Sequence, residues 1–213
     1  DGKDWEKLWR EVKTAQHQKG YQQAYRSMEA AAKDTEGEML FYGSKVCEGV
    51  FHRISSGATR DGLEVFGKME KGYLLSVDSN WDMYGEGYLS GHYFSEEALR
   101  KQLEKAYPGL VFTEESPEKQ INMYKRDKVG HILSLTVGNK TISGEEFRKL
   151  LELPSSNFTM QAADGKIRFL CKGQGHGLGL SQYGGNVLAK EGKSYKEILR
   201  YYFPECGVQK KDS

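Results

Sequence analysis

Residues 173–184 read GQGHGLGLSQYG, which is the most distinctive segment of the sequence. Four glycines occupy every second position: Gly173, Gly175, Gly177 and Gly179. Because glycine has no side chain, one face of this extended segment is bare, and a ligand or another strand can lie against its backbone. We call residues 173–179 the glycine arm.

The spacing of the glycine arm leaves two interpretations open. His176, Ser181, Gln182 and Tyr183 offer hydrogen-bonding and stacking groups that suit the hydroxyls, amides and apolar face of a sugar. Alternatively, the glycines form a tight strand crossing and His176 is a core histidine. No register of the segment fits the dinucleotide pattern G-x-G-x-x-G or the phosphate loop G-x-x-x-x-G-K-[ST], which disfavours nucleotide binding.

Local patterns outside the arm predict helices mixed with hairpins. Two capping boxes, Ser143 with Glu146 and Ser194 with Glu197, predict the firmest helix starts. The other predicted elements are a hairpin over 38–54, strands over 73–77, 131–137 and 166–171, and helices that begin at Ser95 and near Asn186. No βαβ rhythm occurs, so the sequence predicts an α+β fold of hairpins or sheet with peripheral helices.

The first third of the chain contributes a helical region and a polar loop. Helical spacing runs from Trp5 to about Thr35, with a predicted break near Gly20. A loop of small residues, Ser-Ser-Gly-Ala-Thr at 55–59, follows the predicted hairpin; we call it the serine bend. The chain length fits one domain over residues 1–213 and allows two packed lobes, about 1–120 and 121–213.

Composition narrows the class of partner. Lys and Arg total 31 against 30 Asp and Glu, so the totals give no basic field for nucleic acid or anionic lipid. A neutral or weakly polar polymer is therefore the favoured partner, and no cofactor is predicted. No apolar run approaches the ~20 residues that span a bilayer, and Asp1-Gly2-Lys3-Asp4 is unlike a signal segment. We expect a truncated ectodomain.

The three cysteines, Cys47, Cys171 and Cys206, do not form a disulfide framework, and at most one bridge can join them. Cys47 with His52, and Cys171 with His176, share the spacing C-x4-H. Two such pairs together could supply the four ligands of a Cys2His2 zinc site. Positions five apart on a strand face opposite sides of a sheet, so neither pair is preorganised. We therefore predict no metal site and small buried side chains at Cys47 and Cys171.

The glycine arm and its sequel resemble the C-terminal signature of the stage II sporulation protein D family, also called amidase enhancers. That signature continues here through Asn186, Ala189, Gly192 and Tyr195. Further residues resemble the family's central region: Ala31-Ala32, Thr35, Gly37, Tyr42, Phe51-His52, the serine bend, Tyr73-Leu74, Trp81-Asp82, Lys125-Arg126-Asp127, Ile142-Ser143-Gly144, Phe147-Arg148 and residues 153–156. The resemblance covers nearly the whole chain from about Trp5.

The resemblance implies a lytic transglycosylase that cuts peptidoglycan glycan strands already stripped of stem peptides by a partner amidase. One carboxylic acid protonates the glycosidic oxygen, then as carboxylate takes a proton from the C6 hydroxyl that closes the 1,6-anhydro ring. In the family this glutamate lies in a segment E-x-Y-L-x-x-V-V-x-x-E. Nothing before Trp5 matches it, so we expect it upstream of Asp1. A non-catalytic peptidoglycan-binding module that stimulates a cell-wall amidase is the alternative.

The resemblance also implies which residues line the substrate cleft. Seven side chains are implied to position and hydrogen-bond the glycan: Ser55, Ser56, Thr59, His176, Ser181, Gln182 and Tyr183. An ordinary polar turn is the alternative for Ser55 and Thr59. We expect the serine bend and the glycine arm to share one groove. The family also implies an extracytoplasmic location, at the cell wall or on a membrane through an N-terminal anchor outside this sequence.

Overall fold

The computed structural model describes residues 18–210. The helical pattern from Trp5 to Val12 therefore lies outside the described residues. The described residues divide into two units, one formed by residues 18–40 and 208–210 and the other by residues 41–207. The predicted domain limits remain a prediction.

In the first unit, helix α1 (Gln18–Asp34) includes Gly20 close to its start, and because the residues before Gln18 lie outside the described range, the predicted break near Gly20 stays a prediction. A single glycine costs a helix only about 1 kcal/mol, which the strong helix formers that follow offset. The helix ends where the Thr35 hydroxyl donates to the carbonyl of Ala31 at 2.8 Å. Gly37 then takes a left-handed conformation, with φ 76°.

The hairpin predicted at the start of the second unit is half right. Strand β1 (Glu38–Tyr42) pairs antiparallel with β2 (Lys45–Val46) around a turn at Gly43. Strand β3 (Phe51–His52) does not return along this hairpin and instead pairs parallel with β10 (Leu180–Ser181). A parallel pair cannot be closed by a tight turn, so this pairing brings in a distant part of the chain.

Two antiparallel sheets form the body of the second unit. The first has the order β4-β9-β8 and the second the order β5-β6-β7. Their strands are β4 (Leu89–Ser95), β5 (Ile121–Arg126), β6 (Ile132–Val137), β7 (Lys140–Ser143), β8 (Phe158–Ala163) and β9 (Lys166–Lys172). The predicted strands at β6 and β9 are confirmed. The predicted strand over 73–77 is wrong, because only a single bridge from Asp78 to Ala58 forms there.

The second unit also contains several helices. The α-helices are α2 (Gly62–Phe66), α3 (Glu96–Ala106), α4 (Gly144–Leu150), α5 (Gln182–Lys190) and α6 (Tyr195–Tyr202). Short 3-10 turns cover Met69–Lys71, Asn80–Tyr84 and Pro117–Gln120, and strand β11 spans Cys206–Lys210. Both predicted capping boxes are confirmed, at Ser143 with Glu146 and at Ser194 with Glu197.

The main hydrophobic core lies between helices α3 and α4 and the two sheets. Three buried aromatic rings fill its centre: Phe147 and Phe158 stack at 5.5 Å between ring centroids, and Phe169 lies edge-on to Phe158 at 5.4 Å. Leu99 and Leu103 of α3 are also buried here, as the apolar face of the predicted helix requires. Antiparallel sheets with separate helices confirm the α+β class.

Candidate functional site

The serine bend and the glycine arm lie side by side. Before the bend, the backbone N–H groups of Ile54 and Gln174 each donate to the other's carbonyl, at 3.1 and 2.7 Å. After the bend, the Arg60 N–H donates to the carbonyl of Gly177 at 2.7 Å. The structure thus brings together the two segments that the sequence predicts to be neighbours.

Close packing explains the alternating glycines. A Cβ on Gly175 would lie 2.8 Å from the Cβ of His52, and one on Gly177 would lie 2.9 Å from Cδ of Arg60. A Cβ on Gly179 would fall on the carbonyl oxygen of Val50. Every glycine of the arm also has a positive φ. The bare face of the arm is therefore filled by the protein itself, as in the strand-crossing interpretation.

Three of the seven predicted site residues have hydroxyl side chains that are buried and bonded internally. Ser55 Oγ accepts from the Gly57 N–H at 3.2 Å, and Ser181 Oγ caps helix α5 by accepting from the Gly184 N–H at 3.2 Å. Thr59 Oγ1 donates to the carbonyl of Leu75 and accepts from the Val77 N–H, at 3.2 and 2.9 Å. These three side chains hold the two segments in shape, and their contact with substrate stays a prediction.

The other four predicted residues are half-buried or exposed. Ser56 is half-buried, and its Oγ lies 3.4 Å from both the Val129 carbonyl and His131 Nε2. His176 is half-buried, with Nδ1 accepting from the Leu178 N–H at 3.1 Å. Gln182 is exposed and Tyr183 half-buried on the first turn of α5. These side chains are the ones that an incoming molecule can reach.

The rim beside the serine bend carries further exposed groups. Gly57 packs against the 3-10 turn Asn80–Tyr84, where its Cβ would lie 3.8 Å from the sulfur of Met83. Tyr84 at the end of this turn is 84% exposed. The Tyr183 ring lies close to the next residue, Gly85, whose Cβ would be 3.2 Å from Cδ2 of Tyr183. Two tyrosines with accessible surface therefore flank the bend.

A buried charge cluster centred on Arg60 fixes the crossing from within. The guanidinium is 1% exposed, and its Nε donates to Asp127 Oδ2 at 2.5 Å. Its Nη1 donates to the carbonyl of His176 at 3.1 Å and to Glu145 Oε1 at 3.4 Å. Arg60 thus joins the end of the serine bend to the glycine arm, to helix α4 and to the turn after β5.

A hydrogen-bonded chain leads from this cluster towards the serine bend. Ser156 Oγ donates to Glu145 Oε1 at 2.5 Å, so its single proton is committed there. His131 Nδ1 lies 3.0 Å from Ser156 Oγ. Because this oxygen has no second proton to donate, the N–H of His131 Nδ1 must donate to it. This tautomer leaves the lone pair of His131 Nε2 facing Ser56 Oγ. Ser56 is the half-exposed end of an otherwise internal chain.

The three histidines of the site are neutral at neutral pH. Burial lowers the pKa of His52 to about 4, from an ordinary value of 6.5. Burial lowers the pKa of His131 well below its ordinary value, and the Arg60 charge acts in the same direction. The pKa of His176 is lowered as well, mainly by burial. Neutral imidazoles offer hydrogen bonds without a net charge, which fits an uncharged ligand better than an anion.

Sequence reasoning missed the cluster beneath the site. Arg60, Asp127, His131, Glu145 and Ser156 were not predicted as site residues, although Asp127 and Ser156 lie in segments that carry the family resemblance. Buried ionisable side chains are rare unless they are paired, but burial cannot be read from these positions alone. The available signal was that polar residues recur beside the turns at these positions, and nothing in the sequence indicates that the turns would meet.

Residues 18–210 contain neither a metal-binding cluster nor a membrane-spanning helix. Within that range no group of three or more His, Cys, Asp or Glu side chains could hold a metal ion. Cys171, one of the cysteines with C-x4-H spacing, is buried in the main hydrophobic core. Over the same range, every helix is too short or too polar to cross a membrane.

Comparison with known proteins finds two relatives named stage II sporulation protein D. The chain is 30% identical over 193 residues to stage II sporulation protein D of Bacillus amyloliquefaciens, and 27% identical over 194 residues to that of Bacillus subtilis (strain 168). Each alignment covers 91% of this chain and 54% of the relative. An amidase enhancer of Bacillus subtilis (strain 168) is 42% identical over 50 residues, 24% of this chain and 7% of that protein.

No model of a known protein family matches the chain. The chain spans about half the length of the two sporulation proteins that it matches. These matches nevertheless extend over 91% of the chain, and therefore over the serine bend, the glycine arm and the cluster that joins them. The chain belongs to the stage II sporulation protein D family.

Proposed function

We propose that this chain is the substrate-binding part of a peptidoglycan lytic transglycosylase. It binds glycan strands from which the stem peptides have been removed. One observation carries the proposal: the serine bend and the glycine arm, both typical of the family, are hydrogen-bonded neighbours. Around their junction, Ser56, Gln182 and Tyr183 remain accessible. Hydroxyl, amide and aromatic groups are what recognition of a neutral amino sugar requires.

The electrostatics of the junction support a neutral ligand. The Arg60 guanidinium is buried and its charge is balanced by Asp127 and Glu145. The three site histidines have lowered pKa values because they are buried, and they add no positive charge at neutral pH. An anionic ligand would therefore meet no uncompensated cation among these groups, whereas glycan hydroxyls and amides need none.

The acid/base group of the reaction is assigned upstream of Asp1. Glu145 belongs to the cluster beneath the serine bend, and Ser156, Arg60 and Arg148 all donate to its two oxygens. A carboxylate with so many donors serves to hold the fold rather than to protonate a glycosidic oxygen. The chain's own residues would position the strand, and the family glutamate would transfer the proton.

This function places the protein outside the cytoplasm, since peptidoglycan lies in the cell envelope. We propose an extracytoplasmic location, at the wall or held to the membrane by an N-terminal anchor. Fractionation of cells that express the full-length gene product checks this. Recovery of the protein in the cytosolic fraction would contradict it.

The enzymatic proposal is tested with the full-length protein and purified glycan strands from which an amidase has removed the peptides. We expect mass spectrometry to find new products that end in 1,6-anhydro-N-acetylmuramic acid. Replacement of the upstream glutamate by glutamine should abolish these ends while the protein still sediments with the strands. Reducing ends without anhydro rings would instead indicate a hydrolase.

Glycan binding by the junction is tested with two substitutions. Gln182→Ala and Tyr183→Ala each remove an accessible group without touching the Arg60 cluster, and Tyr183→Ala should weaken binding about tenfold because sugar stacking is lost. Tyr93→Ala is the matched control, because Tyr93 is an exposed tyrosine on strand β4. Equal affinity of the Tyr183 and control variants for chitin-type oligosaccharides would remove the junction as the binding site.

A second candidate function is a non-catalytic module that binds peptidoglycan and stimulates a cell-wall amidase. The local similarity to an amidase enhancer favours it. An amidase assay on intact peptidoglycan, with and without the full-length protein carrying the upstream Glu→Gln substitution, separates the two functions. Stimulation that survives the substitution supports the module, whereas stimulation that disappears with the anhydro products supports the enzyme.

A further inference from the structure

Two of the three cysteines face each other in the second unit. The sulfur atoms of Cys47 and Cys206 lie 3.6 Å apart, although the residues are 159 positions apart in sequence. Cys47 follows strand β2 and Cys206 begins strand β11. A disulfide requires sulfur atoms about 2.05 Å apart. Side-chain rotation can supply an approach of this size, so the two thiols are close enough to be joined.

The surroundings of the pair allow a reagent to enter. Both cysteines are half-buried. Cys47 lines an open groove of about 740 Å³ together with Glu48, Lys71 and Tyr73. Cys171 differs from them, because it is fully buried in the main core. Two thiols alone do not complete a tetrahedral metal site, and residues 18–210 contain no group of three or more potential ligands.

We propose that Cys47 and Cys206 are a disulfide-forming pair, which a small-molecule disulfide oxidises by thiol–disulfide exchange. The Cys47 thiolate attacks one sulfur of the reagent, forming a mixed disulfide and releasing one reagent thiolate. The Cys206 thiolate then attacks Cys47 Sγ, forming the Cys47–Cys206 bond and releasing the second reagent thiolate. Two protein thiols are oxidised, one reagent disulfide is reduced to two thiols, and the two protons lost by the cysteines balance the charge.

The order of the two steps follows from the environments of the thiols. Burial raises the pKa of Cys47, while the Cys206 thiol and the Lys71 ammonium oppose this rise. Burial raises the pKa of Cys206 to about 12, and its hydrogen bond to Cys47 adds to the rise. Cys47 lines the open groove and Cys206 does not, so the Cys47 thiolate meets the reagent first and Cys206 resolves the mixed disulfide. The exchange should accelerate as the pH is raised from 7 to 9.

Closure of this bond would link the two ends of the second unit, which runs from residue 41 to residue 207. Cross-links that close long loops restrict the unfolded chain most. We therefore expect the oxidised protein to melt about 10 °C above the reduced protein. An oxidised protein that melts below the reduced one would show that the bond forms only in a distorted fold, and would overturn the proposal.

The experiment uses the whole chain, reduced, freed of reductant and then incubated with oxidised glutathione at pH 8.5. We expect two thiols per molecule to disappear and peptide mapping without reduction to recover one linked pair that contains Cys47 and Cys206. The Cys171→Ala variant is the matched control and should give the same linked pair. Cys206→Ser should instead accumulate a glutathione adduct on Cys47, because the resolving thiol is absent.

Besides a lowered melting temperature, three outcomes of this experiment would overturn the proposal. They are the retention of both thiols at pH 8.5, a linked peptide that contains Cys171, and a covalent dimer in place of the intramolecular bond. The wild-type peptide map, together with non-reducing gel electrophoresis of the intact protein for the dimer, distinguishes these results from the expected one, so the test stands even where a serine variant fails to fold.

Discussion

At the scale of single residues, the buried Arg60 guanidinium determines how the site region is held together. It donates to Asp127, to Glu145 and to the backbone of the glycine arm, and its side chain is almost fully buried. A buried ion pair is weak evidence of net stabilisation, but breaking one by removing a single partner leaves an uncompensated buried charge. Arg60 is therefore sensitive to substitution although it is not accessible to a ligand.

Replacement of this arginine tests that role. Arg60→Met keeps much of the volume and removes the charge, so we expect the free energy of unfolding to fall by about 3–5 kcal/mol. Urea denaturation followed by circular dichroism measures it. Lys71→Met removes a surface ion pair with Glu48 and should leave the unfolding midpoint close to wild type. Similar midpoints for the two variants would contradict the structural role of Arg60.

Stability should also depend on the protonation of His52. Its pKa is about 4 in the folded protein, against an ordinary 6.5, because the imidazole is buried. Between pH 6.5 and 4 the unfolded chain binds more protons at this group than the folded protein does. The stability contributed by neutral His52 is thus complete above pH 6.5 and is lost as the pH falls, by about 3 kcal/mol at pH 4.

Urea unfolding at a series of pH values from 7 to 4 checks this expectation. Wild type should lose stability as the pH falls, and His131, whose pKa is also lowered by burial, should add to the loss. His52→Gln should show a shallower fall over the same interval, whatever its stability at pH 7. An identical pH dependence in the two proteins would refute the assignment.

Among the structural elements, the glycine arm packs so closely against residues 50–60 that its glycine positions have no room for a side chain. Gly179 combines a positive φ with a Cβ position that is occupied by the Val50 carbonyl. Gly192, after helix α5, also has a positive φ, but nothing lies within 4 Å of its Cβ position. A substitution at Gly192 therefore measures the free-energy cost of the backbone conformation alone. A substitution at Gly179 measures that cost together with the cost of a steric clash.

Alanine substitution at these two positions gives a paired prediction. Gly192→Ala should lower the free energy of unfolding by about 1 kcal/mol, from the left-handed conformation alone. Gly179→Ala should lower it by about 3 kcal/mol, because overpacking against Val50 and Phe203 is added. Thermal denaturation compares them. Equal losses would mean that the arm is not closely packed in solution.

Elements that are specified by residues close together in sequence could be predicted, whereas pairings between segments far apart in sequence could not. Ser143 and Ser194 each cap a helix with a glutamate three residues later, so both helix starts were readable. Strand β4 alternates between exposed and half-buried residues, and its side chains give little hydrophobic pattern. The parallel pairing of β3 with β10 depends on residues far apart in sequence, for which a single sequence carries no register signal.

At the scale of the whole molecule, the family resemblance located the two segments of the candidate site but not the charges beneath them. Asp127 lies 67 positions from Arg60, and Glu145 lies 85 positions from it. Neither carboxylate differs in local sequence from a surface acid. The folded arrangement, rather than composition, converts these ordinary residues into the support of the site.

The main core should dominate the stability of the second unit. Phe158→Ala removes a fully buried ring that contacts Phe147 and Phe169, so we expect a loss of about 4 kcal/mol in the free energy of unfolding. Thr159→Ala, one residue further along strand β8 on the exposed face, should change it by less than about 0.5 kcal/mol. Guanidinium denaturation of both variants provides the comparison, and a small loss at Phe158 would place the core elsewhere.

The Arg60–His176 contact joins positions 116 residues apart, which affects the order in which the molecule can assemble. A ribosome adds roughly 5–20 residues per second, so the serine bend emerges about ten seconds before the glycine arm that completes it. For that time the arginine has no partner in the arm, and strand β3 has no neighbour in β10. A nascent chain interrupted before residue 173 would leave both groups exposed to solvent, as a target for chaperones and proteases.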